Sequence, residues 1–198
     1  MKGILFKSDT IQAIVDGRKT QTRRLGGLKE INRTSDIWEC LNPTARQLVT
    51  FYNEGTAFCT RVKPRYQVGE TVYIKEAIHR FNVEYASYSL DFAPVMFMQS
   101  ANRFHWRWAR DKLSPRSLPR EAARYFIMIT DVGVERLQEI SWLDCLAEGI
   151  QEDRDGFFYR CHYSVPQGAY IELWNSINKQ KWESNPWVWV YSFEPKET

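Results

Sequence analysis

The residues best suited to chemistry are concentrated in residues 16–24, Asp-Gly-Arg-Lys-Thr-Gln-Thr-Arg-Arg. Arg18, Lys19, Arg23 and Arg24 are interleaved there with Thr20 and Thr22. Charge-assisted donors thus alternate with hydroxyls, a set suited to phosphate oxygens or a base edge. Cations complement the carbonyls at a helix C-terminus, which by itself accounts for Arg18 and Lys19 but not for the threonines among them. Other chemistries find less support. His79, His105 and His162 are the only histidines. Glu76 and His79 are three apart, but they fall at a strand end with no second pair, so no metal site is expected. Neither a Gly-x-x-x-x-Gly-Lys loop nor a Gly-x-Gly-x-x-Gly turn occurs, which leaves the usual nucleotide-dependent chemistry unsupported. Acid–base and nucleophilic work would fall to Lys, Thr, Glu or Asp. Glu148 ends a predicted helix, where the dipole disfavours a carboxylate, and so it calls for a cationic partner or a functional role.

The basic run must be positioned by the helix before it. Asp9-Thr10-Ile11-Gln12 has the form of a capping box, Ile11, Ile14 and Val15 share one face, and Gly17 supplies the left-handed residue that ends the helix. Residues 3–6 read as a strand leading into it. Regularity is then lost through residues 25–56. Residues 57–62 read as a strand ended by Pro64, and residues 71–76 as a half-buried strand in which Val72 and Ile74 alternate with Thr71, Tyr73 and Lys75. Residues 78–120 interleave rings with charge, as in Arg103-Phe104-His105-Trp106-Arg107-Trp108-Ala109-Arg110. They read as a lid or binding flap rather than core, because neighbouring rings and guanidinium groups can stack on unpaired bases and meet phosphates. Phe104, Trp106 and Trp108 are equally compatible with one packed strand face.

Residues 124–136 give the strongest strand, with Tyr125, Ile127 and Ile129 on one face and Phe126, Met128 and Thr130 on the other. Burial on both sides is expected, as in a barrel or a sandwich. Ser141-Trp142-Leu143-Asp144 opens a second helix by a capping-box pattern, with Leu143, Leu146 and Ala147 facing inward and Gly149 closing it. Residues 151–166 are irregular. A helix over 169–178 carries Leu173, Trp174 and Ile177 on one stripe, and a last strand puts Trp187, Trp189, Tyr191 and Phe193 on one core face.

The 198 residues are ample for a real core, and aromatics at 15% argue against disorder. The net charge of +3 is unevenly distributed. Residues 1–35 hold eight Lys/Arg against three Asp/Glu, and residues 101–124 hold seven against two. A face that binds polyanions produces such asymmetry. The four cysteines, Cys40, Cys59, Cys145 and Cys161, have no paired spacing and are expected as free thiols in a reducing compartment. No signal-peptide core and no bilayer-length apolar run is present, so a cytoplasmic location is expected.

Four segments taken together resemble the ASCH family, in the form associated with phages and prophages. They are residues 17–24, the Val-Gly-Glu-Thr-Val-Tyr-Ile of 68–74, the strand of 130–141 with Ala147-Glu148-Gly149-Ile150 after it, and the Asn-Pro-Trp-Val-Trp-Val of 185–190. The resemblance spans nearly the whole chain outside 78–120 and 30–56. It implies one α+β domain over residues 1–198, a small PUA-like β-barrel with flanking helices and two irregular insertions near 25–56 and 78–120. Related domains bind RNA or modified bases in a cleft beside the barrel. Some small members are amidohydrolases that deacetylate acetylated cytidine, and others are described as ribonucleases. Motif to motif, the resemblance implies Lys19, Thr22 and Glu148 as catalytic residues and Arg24 as a substrate contact. The small amidohydrolases lack the two insertions. Two functions are therefore expected. One is a binding module for nucleic acid, RNA before DNA, or for a modified nucleoside, with Arg18, Arg23, Arg24, Arg107 and Arg110 lining a basic cleft and Trp106 and Trp108 stacking. The other is a hydrolase needing neither metal nor cofactor. The extra basic and aromatic surface exceeds what a free nucleoside needs, which favours the first. No membrane partner is expected.

Overall fold

A computed structural model of the chain describes residues 1–43, 47–81, 85–96, 108–152 and 163–196. In chain order these form β1 (Gly3–Leu5), α1 (Ser8–Val15), β2 (Gln21–Arg24), β3 (Trp38–Cys40), β4 (Val49–Asn53), β5 (Phe58–Val62), β6 (Thr71–Lys75), β7 (Ile78–Arg80), β8 (Tyr85–Tyr88), β9 (Pro94–Met96), β10 (Lys112–Leu113), β11 (Phe126–Arg136), α2 (Trp142–Ala147), α3 (Pro166–Ile177) and β12 (Trp187–Lys196). The architecture is α+β and mostly sheet. Contacts gather into two compact units, one of Met1–Val15, Thr71–Met128 and Pro195–Thr198, the other of Asp16–Glu70 and Ile129–Glu194.

In the first unit β1 lies parallel to β6, and β6 is antiparallel to residues 126–128 of β11. Beside them is an antiparallel sheet of order β10-β7-β8-β9. Its apolar face, Ile78, Ala86, Tyr88, Val95 and Leu113, packs with Leu118 and Ala122 into a core of its own. This corrects the reading of residues 78–120 as a flap without core. The alternation that marks a strand is short here, three residues in β7 and two in β10, so no window of sequence was long enough to reveal it. Residues 82–84 and 97–107 of this segment lie outside the described residues. α1 begins at Ser8, which puts Asp9 inside its first turn rather than at the expected cap. Ile11, Ala13 and Ile14 are buried, whereas Val15 is exposed.

In the second unit β11, β12 and β2 are neighbours, with β12 antiparallel to β2. β3, β4 and β5 form a separate antiparallel meander. Leu28, Ile31, Val49 and Phe51 are fully buried, so the segment read as an irregular insertion over 25–56 contributes core. β12 behaves as its rings require: Trp189, Tyr191 and Phe193 are buried, and Trp187 meets Phe51 edge-on at 5.2 Å. Asn32 fixes the start of β12 by accepting from the Trp187 amide at 2.8 Å and donating to its carbonyl at 2.9 Å.

β11 is not buried evenly on both faces. Ile127 and Ile129 are buried, Thr130 and Asp131 are exposed, and burial resumes at Val132 and Val134, so the alternation changes phase in mid-strand as it does at a bulge. α2 is capped as expected, the Ser141 hydroxyl accepting from the Asp144 amide at 3.1 Å. Its inward residue is Cys145, while Leu143 is 70% exposed. In α3 Trp174 is buried, but Ile177 is exposed. Cys40, Cys59 and Cys145 are free thiols. Among the described residues no helix is long and apolar enough to cross a membrane.

Candidate active site around Lys19 and Glu148

The segment that follows α1 and the end of α2 converge here, both within the second unit. α1 stops at Gly17, whose φ of +72° turns the chain at little cost because glycine has no Cβ. Four residues later the basic run becomes β2, held by backbone bonds from Thr20 N to Ala147 O at 2.8 Å and from Phe193 N to Thr20 O at 2.8 Å. The first of these ties the entrance of β2 to the last turn of α2. α2 ends with Glu148 as its C-cap, followed by Gly149 at φ +91°.

Lys19 therefore meets the end of α2 from inside the protein. Its Nζ donates to the Glu148 carbonyl at 2.7 Å and to Glu148 Oε2 at 2.5 Å, and both residues are buried. A cation on the last carbonyls of a helix is the favoured arrangement, and the ammonium also offsets the carboxylate that the dipole disfavours. Burial drives the Lys19 pKa down; the Glu148 carboxylate raises it, and Arg24 and Arg23 lower it further. The net direction is downward.

Arg23 completes the arrangement. Glu148 Oε1 accepts from the Arg23 amide at 2.7 Å, and the guanidinium reaches the same oxygen at 3.4 Å. The guanidinium also donates to Glu135 at 2.6 Å and to Gln21 at 2.9 Å, and lies 3.5 Å from Asp144. Burial opposes its charge, but Glu148 and Glu135 outweigh burial and raise its pKa. Glu135 is raised by burial, against the pull of Arg23. Asp144 is also penalised by burial, yet the Ser141 hydroxyl and Arg23 hold it below the usual carboxylate range. Buried Tyr170 is pushed well above a normal phenol by desolvation and by Glu148.

The expected site residues are thus redistributed. Lys19 and Glu148 are in contact. Thr22 is buried in β2, cross-strand from Tyr191. Arg23 cannot serve as a phosphate contact, because its side chain is 1% exposed and committed to three carboxylates. Arg24 is a half-buried strand residue whose pKa is pulled down by burial, and Arg18 pairs with Asp16 at 2.7 Å at the surface. Trp108 packs against the Ile78 core and is not a free stacking platform. Arg110 is exposed, and Trp106 and Arg107 lie outside the described residues.

A cavity opens beside this network. A cavity of about 340 Å³ is lined by Gln21, Asp131, Gly133, Glu135, Val190 and Ser192, with Pro43, Val132 and Val134. Among the described residues, its charged lining is the carboxylates Asp131 and Glu135. Sequence reasoning missed Arg23 as an internal clamp, took Asp144 only as part of a capping box, and missed Glu135 and Tyr170 altogether. The one available signal was Glu135 at the end of an apolar strand, where a carboxylate needs a partner. Comparison of the chain with protein-family models, with curated proteins and with solved structures finds no match.

Proposed function

We propose that the chain is an ASCH-type hydrolase with a PUA-like barrel built around β2, β11 and β12, and that it cleaves an amide in a modified nucleoside through Lys19, Thr22 and Glu148. The observation that carries this reading is the Lys19 ammonium, buried against Glu148 with burial lowering its pKa. An amine that loses its proton more readily than a surface lysine is the better suited to act as a general base. Thr22 Oγ1 attacks the amide carbonyl while its proton passes to neutral Lys19. Lys19 then protonates the departing amine, and water hydrolyses the acyl-threonine ester to release the carboxylate. Glu148 holds the lysine in place and is held in turn by the Arg23 amide. The engagement of Arg23 in ion pairs and the acidic cavity count against the binding-module expectation at this position.

Acetylated cytidine is the first substrate to test, with released cytidine measured by mass spectrometry. Turnover by the unmutated protein, lost in Lys19→Ala, Thr22→Ala and Glu148→Gln, is the expected result. The three losses should be far from additive, as for groups acting as a unit. Absence of turnover on acetylated cytidine and related N-acylated nucleosides overturns the proposal.

A further inference from the structure

A second set of polar groups is found on the first unit, in the sheet of β10, β7 and β8. The register places Lys112 opposite His79 and His79 opposite Ser87. Directly paired residues project to the same side, so the three side chains form a row across three strands. Ile78, Tyr88 and Leu113 occupy the opposite face and face the core. The row is therefore on the side turned away from that core. Two of its atoms, His79 Nδ1 and Ser87 Oγ, are buried with no hydrogen-bond partner. Native proteins pair nearly all such groups, so two orphans facing each other across one strand pair indicate a missing partner.

The surroundings suit an anion with an attached ring. Phe81 is 56% exposed and meets the His79 ring edge-on at 4.6 Å. Lys112 is exposed at the end of the row, and Arg110 is exposed just before it in the chain. The nearby Asp111 carboxylate does not cancel this charge, because Arg80 grips it at 2.7 and 3.0 Å. We propose that this face of the first unit binds single-stranded nucleic acid, with a phosphate held by Lys112, His79 and Ser87 and the adjoining base stacked on Phe81. The phosphate oxygens accept from the Ser87 hydroxyl and from the His79 imidazole N–H. Stacking on an exposed ring beside a phosphate contact is how single strands are gripped without reading their sequence. The site belongs to the first unit and does not rest on the hydrolase reading.

The test is fluorescence anisotropy with a labelled oligo-uridine RNA and the full chain, titrated over a range of salt. Phe81→Ala should weaken binding on the order of tenfold, the loss of one stacked base. Lys112→Gln should lower the slope of log affinity against log salt by about 0.7. Ser87→Ala should weaken binding while cooperative melting is kept. Leu143→Ser, at an exposed position on α2 with no part in either site, should bind RNA as the unmutated protein does. Phe81 and Lys112 are exposed, so these variants keep their fold and remain decisive. Wild-type affinity and slope in both, or no RNA binding at low salt, overturns the proposal. So does a site saturated by a phosphoserine peptide but not by RNA.

Discussion

Arg23 shows how far the meaning of a residue depends on what surrounds it. In the sequence it is one of four closely spaced cations, and a row of cations suggests a polyanion. In the fold its backbone amide and side chain both serve Glu148, and its guanidinium also meets Glu135 and Asp144. Removing one partner of a buried ion pair leaves the other charge uncompensated, typically at about 3–5 kcal/mol. Arg23→Met is therefore expected to destabilise the protein by about that amount in urea unfolding, whereas Arg18→Met, which loses only a surface pair, should change stability by less than about 1 kcal/mol. Equal effects from the two would show that Arg23 is not a clamp. Lys19 gives a pH signature. Its folded pKa lies below that of an exposed lysine, about 10.4, so between the two values the unfolded chain binds the extra proton and stability rises with pH. Burial of charged Lys19 thus costs stability at lower pH, and the cost is relieved as the pH climbs through that window. The difference in unfolding free energy between wild type and Lys19→Met should change steadily through the window, in favour of wild type. A difference independent of pH would mean that Lys19 titrates normally. The pairing of Glu148 with a cation was legible from its place at a helix end. The choice of Lys19 was not, since 129 residues separate them.

At the scale of the element, what could be read depended on length. β12 and β11 are ten and eleven residues long and carry enough rings and branched side chains to identify themselves. The capping box at Ser141 is a local pattern and formed as written. β7 and β10 are too short to carry a period, and only their pairing makes them strands. The inward face of α2 was misjudged because Leu143 is more apolar than Cys145, and hydrophobicity alone does not show which side of a six-residue helix meets a neighbour. Two substitutions test these assignments. Trp189 is fully buried, so Trp189→Ala should cost about 3–5 kcal/mol. Leu143 is 70% exposed, and Leu143→Ser should stay within about 0.5 kcal/mol of wild type. Urea midpoints at constant m-value measure both, and a large loss in Leu143→Ser would place that side chain in an interface.

Over the whole molecule, part of each basic stretch is paired within the fold. Lys19, Arg23 and Arg33 in the first pair with Glu148, Glu135 and Glu30. Arg124 in the second holds Glu76 and Asp91. Charge counted along the chain therefore overstated the basic surface, because Glu148, Glu135 and Glu76, which balance part of it, come from distant segments. Arg124 also shows what such pairing does for the first unit. It makes two bonds to Glu76, at 2.9 and 2.8 Å, and its guanidinium lies 4.0 Å from the centre of the Tyr88 ring and 4.6 Å from that of Tyr125. Glu76 is 3% exposed, so Arg124→Leu strands a buried carboxylate and removes the cation from two rings. A loss of about 3–5 kcal/mol is expected. Glu76→Gln combined with Arg124→Leu should recover a large part of it, because the uncompensated charge disappears with its partner. Hydrogen exchange locates the effect. The first unit has its own core around Ile78 and Tyr88, and the second has another around Tyr170 and Trp174. Amides of β7 and β8 should lose protection in Arg124→Leu while those of α3 keep theirs, as for locally cooperative units. Equal loss in α3 would show that the chain opens only as a whole, and that Arg124 stabilises both cores at once.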